Sequence, residues 1–206
     1  MRVEDHWLTD PPDGITIERK PIYGEKPEIT PEILVIHYAV TDSINATVAA
    51  QQHQGYGAHL TIDGHPGEGV QVVQHLPFNQ RAGHAGRSKY QGRDAVNGFS
   101  IGVEIANPGP IVGGKTVWGM TWPEELTTPG VHKSGLVPQW KHWAAYTDEE
   151  TDFCAHLAEL LKQTYGITDV VGHDDVSPGR KFDPGPAFPM AWLRRTVFGT
   201  TESEEP

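Results

Sequence analysis

The run Glu32-Ile-Leu-Val-Ile-His-Tyr-Ala-Val40 constrains the fold more than any other stretch. It is β-branched and apolar at both odd and even positions. An amphipathic strand alternates apolar and polar residues, so a run without alternation predicts a strand covered on both faces. Such a strand lies inside a sheet with layers above and below it. His37 interrupts the run near its C-terminal end.

The segments around this strand complete a layered pattern. Thr41 to Gln54 predicts a helix with Thr41 or Ser43 as N-cap, Gly55 as terminator, and Ile44 and Val48 on its inner face. The β-rich runs HLTID and GVQVVQHL flank Gly64-His65-Pro66-Gly67 and read as a hairpin. Phe99 to Ala106 (FSIGVEIA) reads as a further strand, and Thr147-Asp-Glu-Glu150 is a capping box opening a helix with Phe153, Leu157, Leu160 and Leu161 at helical spacing up to Gly166. A short strand, DVVGH, precedes a Pro/Gly loop, and Pro189 to Phe198 predicts a last helix. The expected class is α/β: a mixed central sheet covered by helices.

At 206 residues the chain suits one core and a single domain with insertions. The expected organisation is an arm over residues 1–30, with possible short strands at Ile15–Ile17 and Ile22–Tyr23. A domain over 31–199 follows, and then an acidic tail over 200–206. The 107–146 stretch, with Trp118, Trp122, Trp140 and Trp143, reads as an inserted ordered loop. A formal charge of -11 opposes attraction to phosphate backbones or anionic lipids, so neither nucleic acid nor membrane is an expected partner. Met1 is followed by Arg2, Glu4, Asp5 and His6, with no apolar leader, and Cys154 is the one cysteine. Both suggest a protein made in the cytoplasm; the expected state is a monomer.

Three places put polar residues where structured segments converge: His37, Glu104 within SIGVEIA, and the loop GHDDVSPGRKFDPG with His173, Lys181 and Asp183. Alternation sets Ile101, Val103 and Ile105 on one face of their strand and Gly102 and Glu104 on the other. Two imidazoles and a carboxylate would leave a zinc position open for water, the pattern of catalytic rather than structural zinc. The residues also admit plainer roles. His37 reads equally as a hydrogen-bonded core histidine, Glu104 as half of an ion pair with Lys181 or an arginine, Asp183 as a turn-stabilising Asx residue, and Lys181 as a solvated charge. Cys154, on the stripe of the capped helix, reads as a small core residue.

Five segments taken together are more specific: GAHLTID, LPFNQRAGHAGRSKYQGR, NGFSIGVEIAN, YTDEE and GHDDVSPGRKFDPGPAF. In this order they resemble the N-acetylmuramoyl-L-alanine amidase family, whose fold is shared with peptidoglycan recognition proteins, over about Ile33 to Trp192. By position, the resemblance implies a zinc ion held by His37, His173 and Asp183, Glu104 as general base, and Lys181 as the cation beside the scissile carbonyl. It implies His59, Arg81 and His84 as substrate-binding residues and peptidoglycan or a muropeptide as partner. Asp183 stands where some members have cysteine, and Ala58 where some have a catalytic tyrosine. Gly83 replaces a tryptophan common before the His-Ala-Gly triplet. The open groove beside Gly83 and the inserted tryptophans favour a lytic, endolysin-like hydrolase of polymeric wall. The acidic charge and the motif similarity favour the alternative, a cytoplasmic recycler of soluble 1,6-anhydro-muropeptides. A non-catalytic peptidoglycan-binding module is the alternative class.

Overall fold

The computed structural model describes residues 1–199; the acidic tail lies outside the described residues. The N-terminal segment forms a small antiparallel hairpin, β1 (Arg2–Glu4) and β2 (Trp7–Thr9), followed by β3 (Ile15–Arg19). β3 pairs in parallel with the later strand Gly69–Gln74 and closes one edge of the main sheet, whereas Ile22 and Tyr23 form no strand. β4 (Ile33–Tyr38) is buried at all six positions, as its lack of alternation predicts. Helix α1 (Ile44–Gln54) starts at Ser43 and stops at Gly55, whose φ of 73° a residue with a side chain would seldom adopt. β5 (Leu60–His65) and β6 (Gly69–Gln74) make the expected hairpin.

Two short strands, β7 (Lys89–Tyr90) and β8 (Arg93–Asp94), precede β9 (Ser100–Ile105). Within 107–146, β10 (Pro110–Ile111), β11 (Thr127–Pro129) and β12 (His142–Ala144) form a separate three-stranded sheet around the buried Trp143. Strands of two or three residues carry no readable period, so this sheet is invisible in the sequence. Helix α2 (Asp148–Tyr165) has both halves of the Thr147/Glu150 capping box and ends at Gly166. After β13 (Asp169–Gly172) the chain makes a helical turn, α3 (His173–Val176), where a loop was expected; Asp175 Oδ2 caps it by accepting from Gly172 N at 2.7 Å. Helix α4 (Met190–Phe198) follows.

The main sheet has strand order β13-β4-β9-β5-β6-β3 and is parallel except for the β5/β6 hairpin. One face carries Leu34, Ile36, Ile101, Val103 and Ile105 against Phe153, Leu157 and Leu161 of α2 and Leu193 and Val197 of α4. Each such fully buried side chain contributes about 1.5–3 kcal/mol. The opposite face has a smaller cluster, including Ile33, Val35, Phe99 and Val171, at one end of the strands. It leaves the other end, where His37 and Glu104 sit, facing a cavity. No helix among the described residues is long and apolar enough to cross a membrane.

Candidate active site

Parallel pairing of β4 and β9 sets His37 opposite Glu104, and β5 sets Thr61 opposite Glu104 from the other side. All three belong to the face that α2 and α4 leave free. β13 lies on the far side of β4, so its C-terminal end delivers His173 as the first residue of α3 beside His37. The chain then turns back, and Asp183 is held against α3 by its carbonyl, which accepts from Asp174 N at 2.8 Å. Four segments thus converge because strands adjacent in space end at the same level.

His37 Nδ1 is 2.8 Å from His173 Nδ1, and both lie 2.9 Å from Asp183 Oδ2. All three residues are buried. Three lone-pair-bearing atoms in a triangle cannot all be satisfied by the one or two protons that imidazoles can place among them; a cation at the centre satisfies all three. Zinc with nitrogen and oxygen ligands at about 2.0–2.2 Å needs these atoms to part by only a few tenths of an ångström. Burial, reinforced by the neighbouring His173, lowers the His37 pKa to about 4, so its ring is neutral and has a lone pair to give. Burial pushes Asp183 upward, but the hydrogen bonds from His173 and His37 outweigh it and hold the carboxylate ionised. The donor set fits a divalent metal.

Glu104 reaches the same cavity, and its Oε2 is buried with no hydrogen-bond partner. Burial, with Asp183 nearby and against the opposing pull of Lys181, raises its pKa to about 8. Among the described residues Glu104 makes no ion pair, so the cross-sheet salt bridge that the sequence allowed is not formed. A divalent cation at the His37/His173/Asp183 cluster would oppose the rise of the Glu104 pKa, and the unpartnered carboxylate would then be suited to accept a proton from water. Lys181 lines the cavity too. The cavity measures about 310 Å³ and is walled on one side by α1 and on the other by the Arg180–Asp183 segment. α1 is fixed to the sheet through Gln51, whose Nε2 donates to Thr61 Oγ1 at 2.6 Å and whose Oε1 accepts from Ala58 N at 2.7 Å.

The expected substrate-binding residues do not form one group. His84 borders the cavity but is buried, its Nδ1 2.9 Å from His37 Nε2 and its Nε2 3.1 Å from Ser100 Oγ. It stands behind His37, at the ring nitrogen that faces away from His173 and Asp183. His59 is fully buried and both ring nitrogens are engaged by backbone: Nε2 with Gln80 O at 2.7 Å, and Nδ1 accepting from Gly102 N at 3.1 Å. No part of it is left to meet a substrate. Arg81 is exposed and borders a different hollow, with Tyr23, Lys26 and Asn97.

Sequence reasoning missed His132 and Asp174. His132 Nε2 lies 3.0 Å from Asp174 Oδ2, and Lys133 Nζ is 3.0 Å from Asp174 Oδ1, so the 107–146 segment is tied to the residue next to His173. Separated by 42 positions, the pair has no spacing signal. Arg180 was missed as well: it reaches the carbonyl of Ala85 at 2.7 Å and that of Arg87 at 2.8 Å, joining the Lys181 loop to the His84 loop.

A mixed sheet that gathers two histidines and an aspartate at its strand ends, with a free carboxylate and a lysine alongside, has the arrangement of a metal-assisted hydrolase with an open coordination position. The sequence signature of N-acetylmuramoyl-L-alanine amidases matches residues 27–186, and the chain belongs to that family of enzymes. It is similar to 1,6-anhydro-N-acetylmuramyl-L-alanine amidase AmpD of Escherichia coli (strain K12), 29% identical over 222 residues that span 98% of this chain and 100% of that protein. Among solved structures, the complex of AmiD from E. coli with anhydro-N-acetylmuramic acid-L-Ala-D-gamma-Glu-L-Lys has a TM-score of 0.61 at 26% identity, over 85% of this chain and 60% of that one. AmpDh3 from Pseudomonas aeruginosa in complex with an anhydromuramic pentapeptide has a TM-score of 0.60 at 28% identity, over 82% of this chain and 61% of that one.

Proposed function

We propose that this chain is a zinc-dependent amidase that cleaves the bond between 1,6-anhydro-N-acetylmuramic acid and L-alanine in soluble muropeptides. The geometric support is the His37/His173/Asp183 triangle with the unpartnered Glu104 beside it at one cavity. The support for the substrate is similarity over the whole length to an enzyme named for an anhydro-muropeptide. A single cysteine, buried and unpaired, agrees with work in the cytoplasm.

When bound at the triangle, zinc supplies Lewis acidity to the substrate carbonyl and acidifies water. Glu104 Oε2 takes a proton from the attacking water as the C–O bond forms at the lactyl carbonyl carbon. Lys181 holds the carbonyl oxygen as negative charge develops on it. As the C–N bond breaks, Glu104 returns the proton to the alanine nitrogen, so the products are the muramyl carboxylate and a free stem peptide. His84 keeps the His37 ring in orientation.

Two sequence features that favoured a lytic role read differently in three dimensions. A Cβ on Gly83 would meet Tyr56 Cβ at 3.1 Å, so a tyrosine side chain occupies the space beside the glycine and the groove is not simply opened there. Of the four inserted tryptophans, Trp143 is buried, Trp140 packs edge-on against Trp143 and Phe182, and Trp122 is partly buried with its indole N–H on Leu126 O. The test is hydrolysis of soluble anhydro-muropeptides against purified sacculi, with product masses. Rapid release of stem peptide from the soluble compounds alone is expected; comparable release from sacculi would restore the lytic reading.

A further inference from the structure

The fourth tryptophan is placed differently. Trp118 is 70% exposed, the second most exposed of the large apolar side chains. It sits on a tight turn closed by Gly119 N donating to Thr116 O and Thr116 N donating to Met120 O, both at 2.9 Å. Its indole N–H donates to Val40 O at 2.7 Å. Val40 is a β-branched residue at φ 57°, a costly conformation that directs the chain leaving β4, and it lines the catalytic cavity. An indole that is fixed by its N–H yet open on its faces adds nothing to a core. It is a rigid apolar surface one residue beyond the cavity rim.

The cavity has two unlike walls. The Arg180–Asp183 wall carries the cations Arg180 and Lys181, whereas the wall that runs from Ala39 and Val40 along α1 to Tyr56 contributes no charged side chain to the lining. A muropeptide is similarly divided: its stem peptide bears carboxylates, and its sugars are uncharged, with apolar C–H faces that stack on aromatic rings. The peptide matches the charged wall and the saccharide the neutral one. On the neutral side Val40 borders the cavity, and Trp118 lies next beyond it.

We propose that Trp118 forms a saccharide subsite that stacks against the N-acetylhexosamine glycosidically linked to the muramyl residue, so that the enzyme prefers disaccharide over monosaccharide muropeptides. The inference rests on the amidase reading above. One ring accommodates one sugar, which suits a disaccharide and not an extended glycan strand.

The test compares anhydro-muropeptides with the same stem peptide and either one sugar or two. Trp118→Ala should raise KM for the two-sugar compound by about threefold to tenfold beyond any change it causes with the one-sugar compound, since loss of the hydrogen bond to Val40 acts on both alike. Trp118→Phe, which keeps an aromatic face and loses the hydrogen bond to Val40, should recover much of that loss. An equal rise for both compounds, or no rise, overturns the subsite and leaves Trp118 as an anchor of its hairpin. Binding is read separately by titrating the peptide-free disaccharide against wild-type protein and the Trp118→Phe variant while following tryptophan fluorescence. A change confined to the wild type is expected, and its absence overturns the subsite. Failure to release stem peptide from either compound would instead count against the amidase reading.

Discussion

His37 and Glu104 are register partners on adjacent parallel strands, so a candidate metal ligand and the candidate base project from one face of the sheet at the same level. Their relative position is set by backbone pairing and not by a loop. Altering the function of one therefore need not disturb the placement of the other.

Glu104→Gln should retain metal and melting temperature while kcat falls by about 10²–10⁴-fold. The amide matches the carboxylate in shape and removes its basicity. Elemental analysis, thermal unfolding and turnover on one preparation check this. Near-normal kcat would move proton transfer to another group.

His84→Ala should weaken metal binding by roughly 10–100-fold, the usual effect of losing a partner that orients a ligand histidine. Competition with a chromogenic chelator measures it. Unchanged metal affinity with a raised KM would instead return His84 to the substrate-binding role that the family resemblance implies.

Gly102→Ala tests the same contact from beneath. A Cβ at residue 102 would lie 2.5 Å from His84 Cγ and 2.6 Å from its Nδ1, within a buried site. The variant should lose about 1–3 kcal/mol of stability in denaturant unfolding and share the weakened metal binding of His84→Ala. Because both changes act through one ring, the double variant should lose less than the sum of the two.

Much of the fold was legible because its signals are local. β4 is an unbroken apolar run, α2 opens with its own capping box, and α1 ends on a glycine. His37, Glu104, His173 and Asp183 were visible as polar residues set in or beside such segments. What could not be read depended on which strand lies beside which. The His37–Glu104 register, the place of His84 behind His37, and the loss of both His59 nitrogens to backbone are products of sheet order, which no sequence period encodes.

Glu150 sets a pH dependence away from the active site. Burial raises its pKa from 4.5 to about 7, against hydrogen bonds from the backbone of Thr147 and Gly64. The folded state therefore holds this proton more tightly than the unfolded one. The resulting stability is fully present below about pH 4.5 and is lost as pH rises toward about 7. Glu150→Gln should flatten this part of the stability profile in denaturant unfolding at a series of pH values. An unchanged slope would show that Glu150 is not its source.

His37 and Asp183 are 146 positions apart and meet through side-chain atoms 2.9 Å from each other. A cation held there acts as a reversible staple across most of the chain, in a protein with no second cysteine to make a permanent one. Because the site exists only in the folded chain, metal bound there would add to folding free energy as the free ion rises above its Kd. The lifetime of such a metal-bound protein against proteases would then follow the supply of metal, and scarcity of the ion would remove the enzyme as well as silence it.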